Sequence, residues 1–220
     1  MSFSIFEERI SLKMIQKRLF KDKYLNVEAN IYYNFENGKM ITNYIYPENY
    51  IFISNKYGET KIYYPDKNQV EIKVDEMLSS ENNLLFYFTS NQTYDMGLKS
   101  LKFKINETHF EEDLMITLWS PPTELLEKIN KIKIVHKDYL PIYTAYFNNK
   151  NQIIKKIFYS KYENFTKFSI PRLITEFNFL ENGDSNVSKI IYSDIKIGKD
   201  ANSNLFDFEI PSDAEILKKN

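Results

Sequence analysis

The sequence predicts a mainly β fold, built as one barrel or strongly curved antiparallel sheet, and three observations carry this. Tyr, Phe and Trp make up 16% of the 220 residues while glycine occurs only 5 times, a balance that suits pleated, half-buried strands. Leu25, Val27, Ala29, Ile31, Tyr33 and Phe35 alternate with mostly polar neighbours, the period of a strand with one apolar face. Short turn signals then separate one apolar run after another at hairpin spacing. At 26.3 kDa the chain has the size of one larger domain, read as residues 1–220.

In chain order, Phe3, Phe6, Ile10 and Met14 fall at intervals of three and four, which predicts an N-terminal helix with one apolar stripe. The long strand Leu25–Phe35 follows. Asn37-Gly38 supplies a tight hairpin, Met40–Tyr46 returns, and Pro47-Glu48-Asn49 turns into Tyr50–Ser54. The meander continues through Tyr57-Gly58-Glu59 to Ile62-Tyr63-Tyr64, then through Pro65-Asp66-Lys67-Asn68 to Val70, Ile72 and Val74. Met77, Leu84, Leu85 and Phe88 form a second apolar helical stripe. Later strands are predicted at Leu101–Ile105, Leu114–Trp119, Ile129–Val135, Ile142–Phe147, Ile153–Tyr159, Leu173–Leu180 and Val187–Ile197. The two helices need an apolar surface, and either close the mouth of the curved sheet or fill its interior as ordinary core.

Charge and composition exclude several functions. Lys and Arg number 29 against 30 Asp and Glu, so no overall field draws the chain to nucleic acid or an anionic surface. No cysteine occurs, which removes disulfides, thiolate metal sites, a cysteine nucleophile and lipid attachment through cysteine. The first residues lack the basic start and long apolar stretch of a signal peptide, so the chain is expected to be intracellular or a processed form. His109, beside Glu107, Glu111, Glu112 and Asp113, is the one place where proximity suggests a metal or acid/base group. Without a second histidine at ligand spacing, that stretch reads as a solvated charged turn. His136 ends a strand with no partner pattern. No phosphate loop, Gly-x-Ser-x-Gly elbow or His-Glu-x-x-His motif occurs, so no catalytic residues, cofactor or metal are expected.

The order of features resembles a known family. The Gly38 turn, Tyr46-Pro47, Tyr50, Gly58, Ile62-Tyr63-Tyr64-Pro65 and Asn68-Gln69-Val70 are similar to the front half of the LolA-like outer-membrane lipoprotein-sorting proteins. The Met77–Phe88 helix, Pro141-Ile142-Tyr143 and Phe206-Asp207-Phe208-Glu209-Ile210-Pro211 resemble the rest. The resemblance implies a single incomplete, half-open antiparallel β-barrel of about 11 strands, its concave apolar face covered by helices. It also implies a non-enzymatic periplasmic carrier that receives lipoprotein acyl chains and hands them to the outer membrane. Its partners would be an acylated lipoprotein or lipid, an inner-membrane releasing complex and an outer-membrane acceptor, with no nucleic acid and a monomeric state. An arginine commonly precedes the early proline in that family and helps to latch the lid. Here Tyr46 stands before Pro47, so a guanidinium latch cannot form. Lacking cysteine, the chain looks like the soluble carrier branch rather than the lipidated receptor branch.

These readings place the ligand on Leu25, Val27, Ile31, Tyr33, Tyr46, Tyr50, Phe52 and Tyr64, and the lid on Phe6, Ile10, Met14, Leu84, Leu85 and Phe88. Rival readings keep the fold with another lipid or hydrophobic cargo, or make the chain a cell-envelope interaction module whose barrel is filled by its own side chains.

Overall fold

The computed structural model describes residues 9–20, 23–180 and 183–217. The first six strands are β1 (Arg9–Phe20), β2 (Lys23–Asn34), β3 (Met40–Tyr46), β4 (Tyr50–Ser54), β5 (Glu59–Tyr64) and β6 (Gln69–Val74). A short helix, α1 (Leu84–Thr89), precedes β7 (Lys104–Glu111), β8 (Leu114–Ser120), β9 (Lys131–Lys137) and β10 (Leu140–Phe147). The chain ends with β11 (Ile153–Asn164), β12 (Ser169–Phe179), β13 (Ser185–Ile197) and β14 (Glu215–Ile216).

All fourteen strands belong to one sheet, in the order β14-β6-β5-β4-β3-β2-β1-β13-β12-β11-β10-β9-β8-β7. The sheet does not close: β14 and β7 are its edges. The meander β2–β6 is antiparallel throughout, as is β7–β12 with β13 added, while β14 joins β6 in parallel. An open antiparallel sheet is what an incomplete barrel requires, and it holds more strands than the 11 expected.

The residues group into two compact units. Among the described residues, one comprises those up to Gln16, Asn26–Asn83 and those from Tyr192 onward; the other comprises those within Lys17–Leu25 and Leu84–Ile191. In the first unit, Ile41, Ile51, Tyr63 and Val70 form a buried cluster on one face of β3–β6, and Phe208, Ile210 and Ala214 of the C-terminal segment pack against it. The Ser80 hydroxyl donates to the Gly38 carbonyl at 2.6 Å, fixing the segment after β6 to the β2–β3 hairpin. In the second unit, Trp119, Ile132 and Ile134 meet Leu98 and Phe103 from the irregular segment that follows α1.

Several expectations need correction. Ile10 and Met14 lie on strand β1, not on a helix, while Phe3 and Phe6 fall outside the described residues. Residues four apart share a face in either geometry, and Ile10, Leu12 and Met14 also alternate with Ser11 and Lys13; burial of Ile10 and Leu12 to 0% and 3% exposure reflects that period of 2. The second helix is confined to Leu84–Thr89. Met77 sits in a 3₁₀ turn, Glu76–Leu78, because the polar run after it bonds backbone instead of continuing the helix: Ser79 Oγ donates to Lys56 O at 2.8 Å and Asn82 Nδ2 to Glu76 O at 2.7 Å. The predicted strand at Leu101 begins only at Lys104, and the charged stretch around His109 is its continuation rather than a turn. As the sheet's edge, β7 has little to bury, so it shows no apolar alternation and carries the charges that discourage edge pairing.

Candidate functional site

Register decides which predicted ligand residues meet. Across β2 and β3, Ile31 stands opposite Thr42 and Tyr33 opposite Met40. Across β3 and β4, Thr42 faces Phe52 and Tyr44 faces Tyr50, and Phe52 then faces Ile62 of β5. Tyr64 is two residues beyond Ile62 on the same alternation. Ile31, Tyr33, Tyr50, Phe52 and Tyr64 therefore share one face of the sheet, opposite to the face covered by the C-terminal segment. Ile31 and Tyr33 are buried there, whereas Tyr50, Phe52 and Tyr64 are half-buried.

The other three predicted residues differ. Leu25 is exposed near the start of β2, whereas Val27 is half-buried and, on the unbroken alternation of β2, shares the face of Ile31. Tyr46 is 53% exposed, and an extra residue in β3 sets it opposite Glu28 while Tyr44 stands opposite Ala29. That bulge turns Tyr46 to the face away from Ile31 and Phe52, so it takes no part in the aromatic strip.

The strip itself is ordered. Tyr44 and Tyr50 stack with ring centroids 4.3 Å apart and planes 18° apart, and Tyr64 lies 6.2 Å beyond Tyr50. The Tyr64 hydroxyl donates to Glu71 Oε1 at 3.3 Å, and Lys73 Nζ pairs with Glu71 Oε2 at 2.9 Å. Burial pushes the Tyr50 phenol up to about 12, with the neighbouring Tyr44, Tyr64 and Glu48 adding to it. Burial likewise raises Tyr64, followed by the Glu71 carboxylate. Tyr33 is pushed up to about 12 by burial and by Glu81, with a hydrogen bond to Ser80 acting the other way. All these phenols stay protonated at neutral pH, so the strip offers ring faces and neutral hydroxyls to an apolar or amphiphilic chain. Sequence reasoning missed Tyr44, Thr42 and Ile62. The signal was absent, because a turn of just Pro47-Glu48-Asn49 would set Tyr46 opposite Tyr50, whereas the actual register sets Tyr44 there.

In the second unit, α1 lies on β12 with Leu85 and Phe88 turned to the sheet, at 3% and 0% exposure, and Leu84 half-buried. Phe88 meets the rings of Tyr159 and Tyr162 edge-on at 5.7 and 6.0 Å. Beyond the helix, Tyr94 rests on Trp119 and His136. The cover is thus one short helix continued by an irregular segment.

Neither histidine builds a catalytic constellation. On β7, His109 Nδ1 lies 2.9 Å from Glu107 Oε1 and Nε2 3.3 Å from Glu111 Oε1, three side chains on one face of an exposed edge strand. Among the described residues no group of three His, Cys, Asp or Glu side chains is arranged to hold a metal ion. No described helix is long and apolar enough to cross a membrane. A depression of about 300 Å³ at the hairpin ends of the first unit is rimmed by Lys39, Asn55, Glu59 and Lys61, with Ile53 in its lining.

No protein-family model and no curated protein matches the sequence. Solved structures do share its fold. A putative outer-membrane lipoprotein-sorting protein domain from Vibrio parahaemolyticus superposes with a TM-score of 0.59 at 12% identity, over 90% of this chain and 89% of that one. A DUF1329 family protein from Desulfovibrio piger gives 0.59 at 12% identity over 91% and 89%. A LolA superfamily protein from Nitrosomonas europaea gives 0.56 at 12% identity over 87% and 86%.

Proposed function

We propose that this chain, which has the fold of LolA-like lipoprotein-sorting proteins, is a non-enzymatic carrier. It takes up the acyl chains of a lipoprotein, or of another lipid, in the bacterial periplasm and passes them toward the outer membrane. One observation carries the reading: Ile31, Phe52 and Ile62 form an apolar row across β2, β4 and β5, flanked by the stacked pair Tyr44 and Tyr50 and by Tyr64. Each methylene laid on such a surface and removed from water contributes about 0.8 kcal/mol. Neutral hydroxyls beside it give a bound chain's polar end hydrogen-bond partners without holding it by charge, which favours release. Within the second unit, Leu85 and Phe88 anchor α1 to the sheet, and in the first unit Tyr46 contributes no latch to the strip.

A second reading has its own support. Phe88, Trp119 and Ile134 are at 0% exposure, so the second unit's core is filled by its own side chains, as an interaction module would be. Native mass spectrometry of protein purified from its own envelope without detergent, with organic extraction, separates the two. A lipid or acylated peptide at fixed stoichiometry, with uptake of a lipid-like fluorescent probe weakened at least about tenfold by Phe52→Asp, supports the carrier. An empty protein that takes up no probe makes the interaction module the better reading.

A further inference from the structure

The outer face of the second unit carries an arrangement that the carrier reading does not use. Register sets Tyr143, Phe158 and Lys189 in one row across β10–β13, with Thr175 between the last two. Lys133, Lys156 and Phe177 stand in the next row. This face lies opposite to the one holding Trp119, Ile134 and Ile174. The rings of Tyr143 and Phe158 are 5.0 Å apart, and those of Phe158 and Phe177 6.0 Å apart.

Lysines are laid over two further aromatics of these strands. Lys131 Nζ sits 4.8 Å from the Phe147 ring centre and Lys156 Nζ 5.2 Å from that of Phe179. Phe158 is 41% exposed and Phe179 36%. Among the described residues, Lys131, Lys133, Lys156 and Lys189 enter no ion pair, and neither of these two rows holds a carboxylate. The contrast lies on the inward face, where Lys155 is paired with Glu176 at 2.9 Å. The chain's net charge is only −1, so this basic surface is local rather than part of a general positive field.

We propose that this face docks the protein onto a phospholipid bilayer that exposes anionic headgroups. The four lysines meet phosphates, Lys131 and Lys156 from beside the rings of Phe147 and Phe179, while Phe158 and Phe179 enter the headgroup zone. A soluble acidic partner would be served by the lysines alone. Partly exposed phenylalanines among unpaired lysines add an apolar area that the interfacial layer accommodates and bulk water does not.

Sedimentation with vesicles of phosphatidylcholine alone, and of phosphatidylcholine mixed equally with phosphatidylglycerol, tests this. The protein is expected to sediment with the mixed vesicles, to remain free with phosphatidylcholine alone, and to be released by salt. Lys133→Glu combined with Lys156→Glu should lower partitioning at least about tenfold, each lysine near the surface being worth roughly fivefold. Phe158→Ser should lower it several-fold without altering the salt dependence. Trp119 fluorescence verifies that each variant is folded. No sedimentation with the mixed vesicles overturns the proposal. So does equally tight binding to soluble polyglutamate that is indifferent to Phe158→Ser, which would make the face a site for acidic polymers. Probe uptake at Phe52 is expected to survive the lysine changes, so the docking face and the carrier reading fail separately.

Discussion

The imidazole of His136 lies nearly flat against the ring of Tyr94, with centroids 6.0 Å apart and planes at 18°, while its Nε2–H donates to the Thr93 carbonyl at 2.9 Å. Two consecutive residues of the segment covering the second unit are thereby fixed to β9. Met115 and Pro141 stand opposite His136 on the flanking strands, and its Nδ1 is buried without a hydrogen-bond partner.

Acid should therefore loosen this segment. Burial lowers the His136 pKa from its ordinary value of 6.5, with the Thr93 hydrogen bond opposing in part. As pH falls, the unfolded chain binds the proton first. The stability that the neutral imidazole provides is full above about pH 6.5 and is lost progressively below it. Trp119, the only tryptophan, lies 5.9 Å from Tyr94 and reports the change by fluorescence. His136→Phe should abolish that pH dependence and cost about 1–3 kcal/mol, because the Thr93 carbonyl loses its donor. An unchanged fluorescence titration in this variant would disprove the assignment.

Phe88→Ala should destabilise the protein by about 3–5 kcal/mol, since a fully buried ring set against Tyr159 and Tyr162 leaves a cavity that a six-residue helix cannot collapse to fill. Urea unfolding followed by circular dichroism measures this. A cost below about 1 kcal/mol would mean that α1 is not anchored to the sheet through this side chain.

At Gly58, φ is +78° and an added Cβ would lie 2.3 Å from the Asp75 carbonyl oxygen. Gly58→Ala should cost about 1–3 kcal/mol, since both the left-handed backbone and the rigid neighbour resist it. Gly183, with φ +87° but open space around the Cβ, should pay only the backbone part. The difference in urea midpoint between the two variants isolates the steric contact.

Alkaline titration should also show the buried phenols. Burial pushes Tyr33, Tyr50, Tyr146 and Tyr192 up to about 12. The unfolded chain releases these protons near pH 10, so the folded state holds more protons above that point and stability declines as pH rises from about 10 toward 12. Phenolate absorbance should show a late-titrating class that vanishes in urea, and the unfolding midpoint should fall between about pH 9 and 11. Full ionisation near pH 10 in the folded protein would contradict the burial.

How much of this was legible follows from where the information sits. The strands β3 and β4 coincide with the segments predicted at Met40–Tyr46 and Tyr50–Ser54, because Gly38 and Pro47 mark their ends locally. Ile10 and Met14 were misread because spacing four belongs to both helix and strand. The strand around His109 was hidden because an edge strand shows no alternation. β14 is two residues long, so no period could reveal it, and its place beside β6 depends on where the chain end returns. At the candidate site, Phe52 and Ile31 were legible from alternation. Tyr46 was misplaced because a bulge shifts alternation by one residue and leaves no mark in the sequence.

The position of β1 between β2 and β13 also bears on how the protein is made. A strand from the first tenth of the chain must wait beside β2 until residues 185–197 leave the ribosome, since only they supply its other neighbour. Local hairpins such as β3–β4 form early, but the middle of the sheet is completed only near the end of synthesis, with just the edge strand β14 to follow. The nascent chain thus spends most of its synthesis with an open interior edge that needs protection from pairing with other chains.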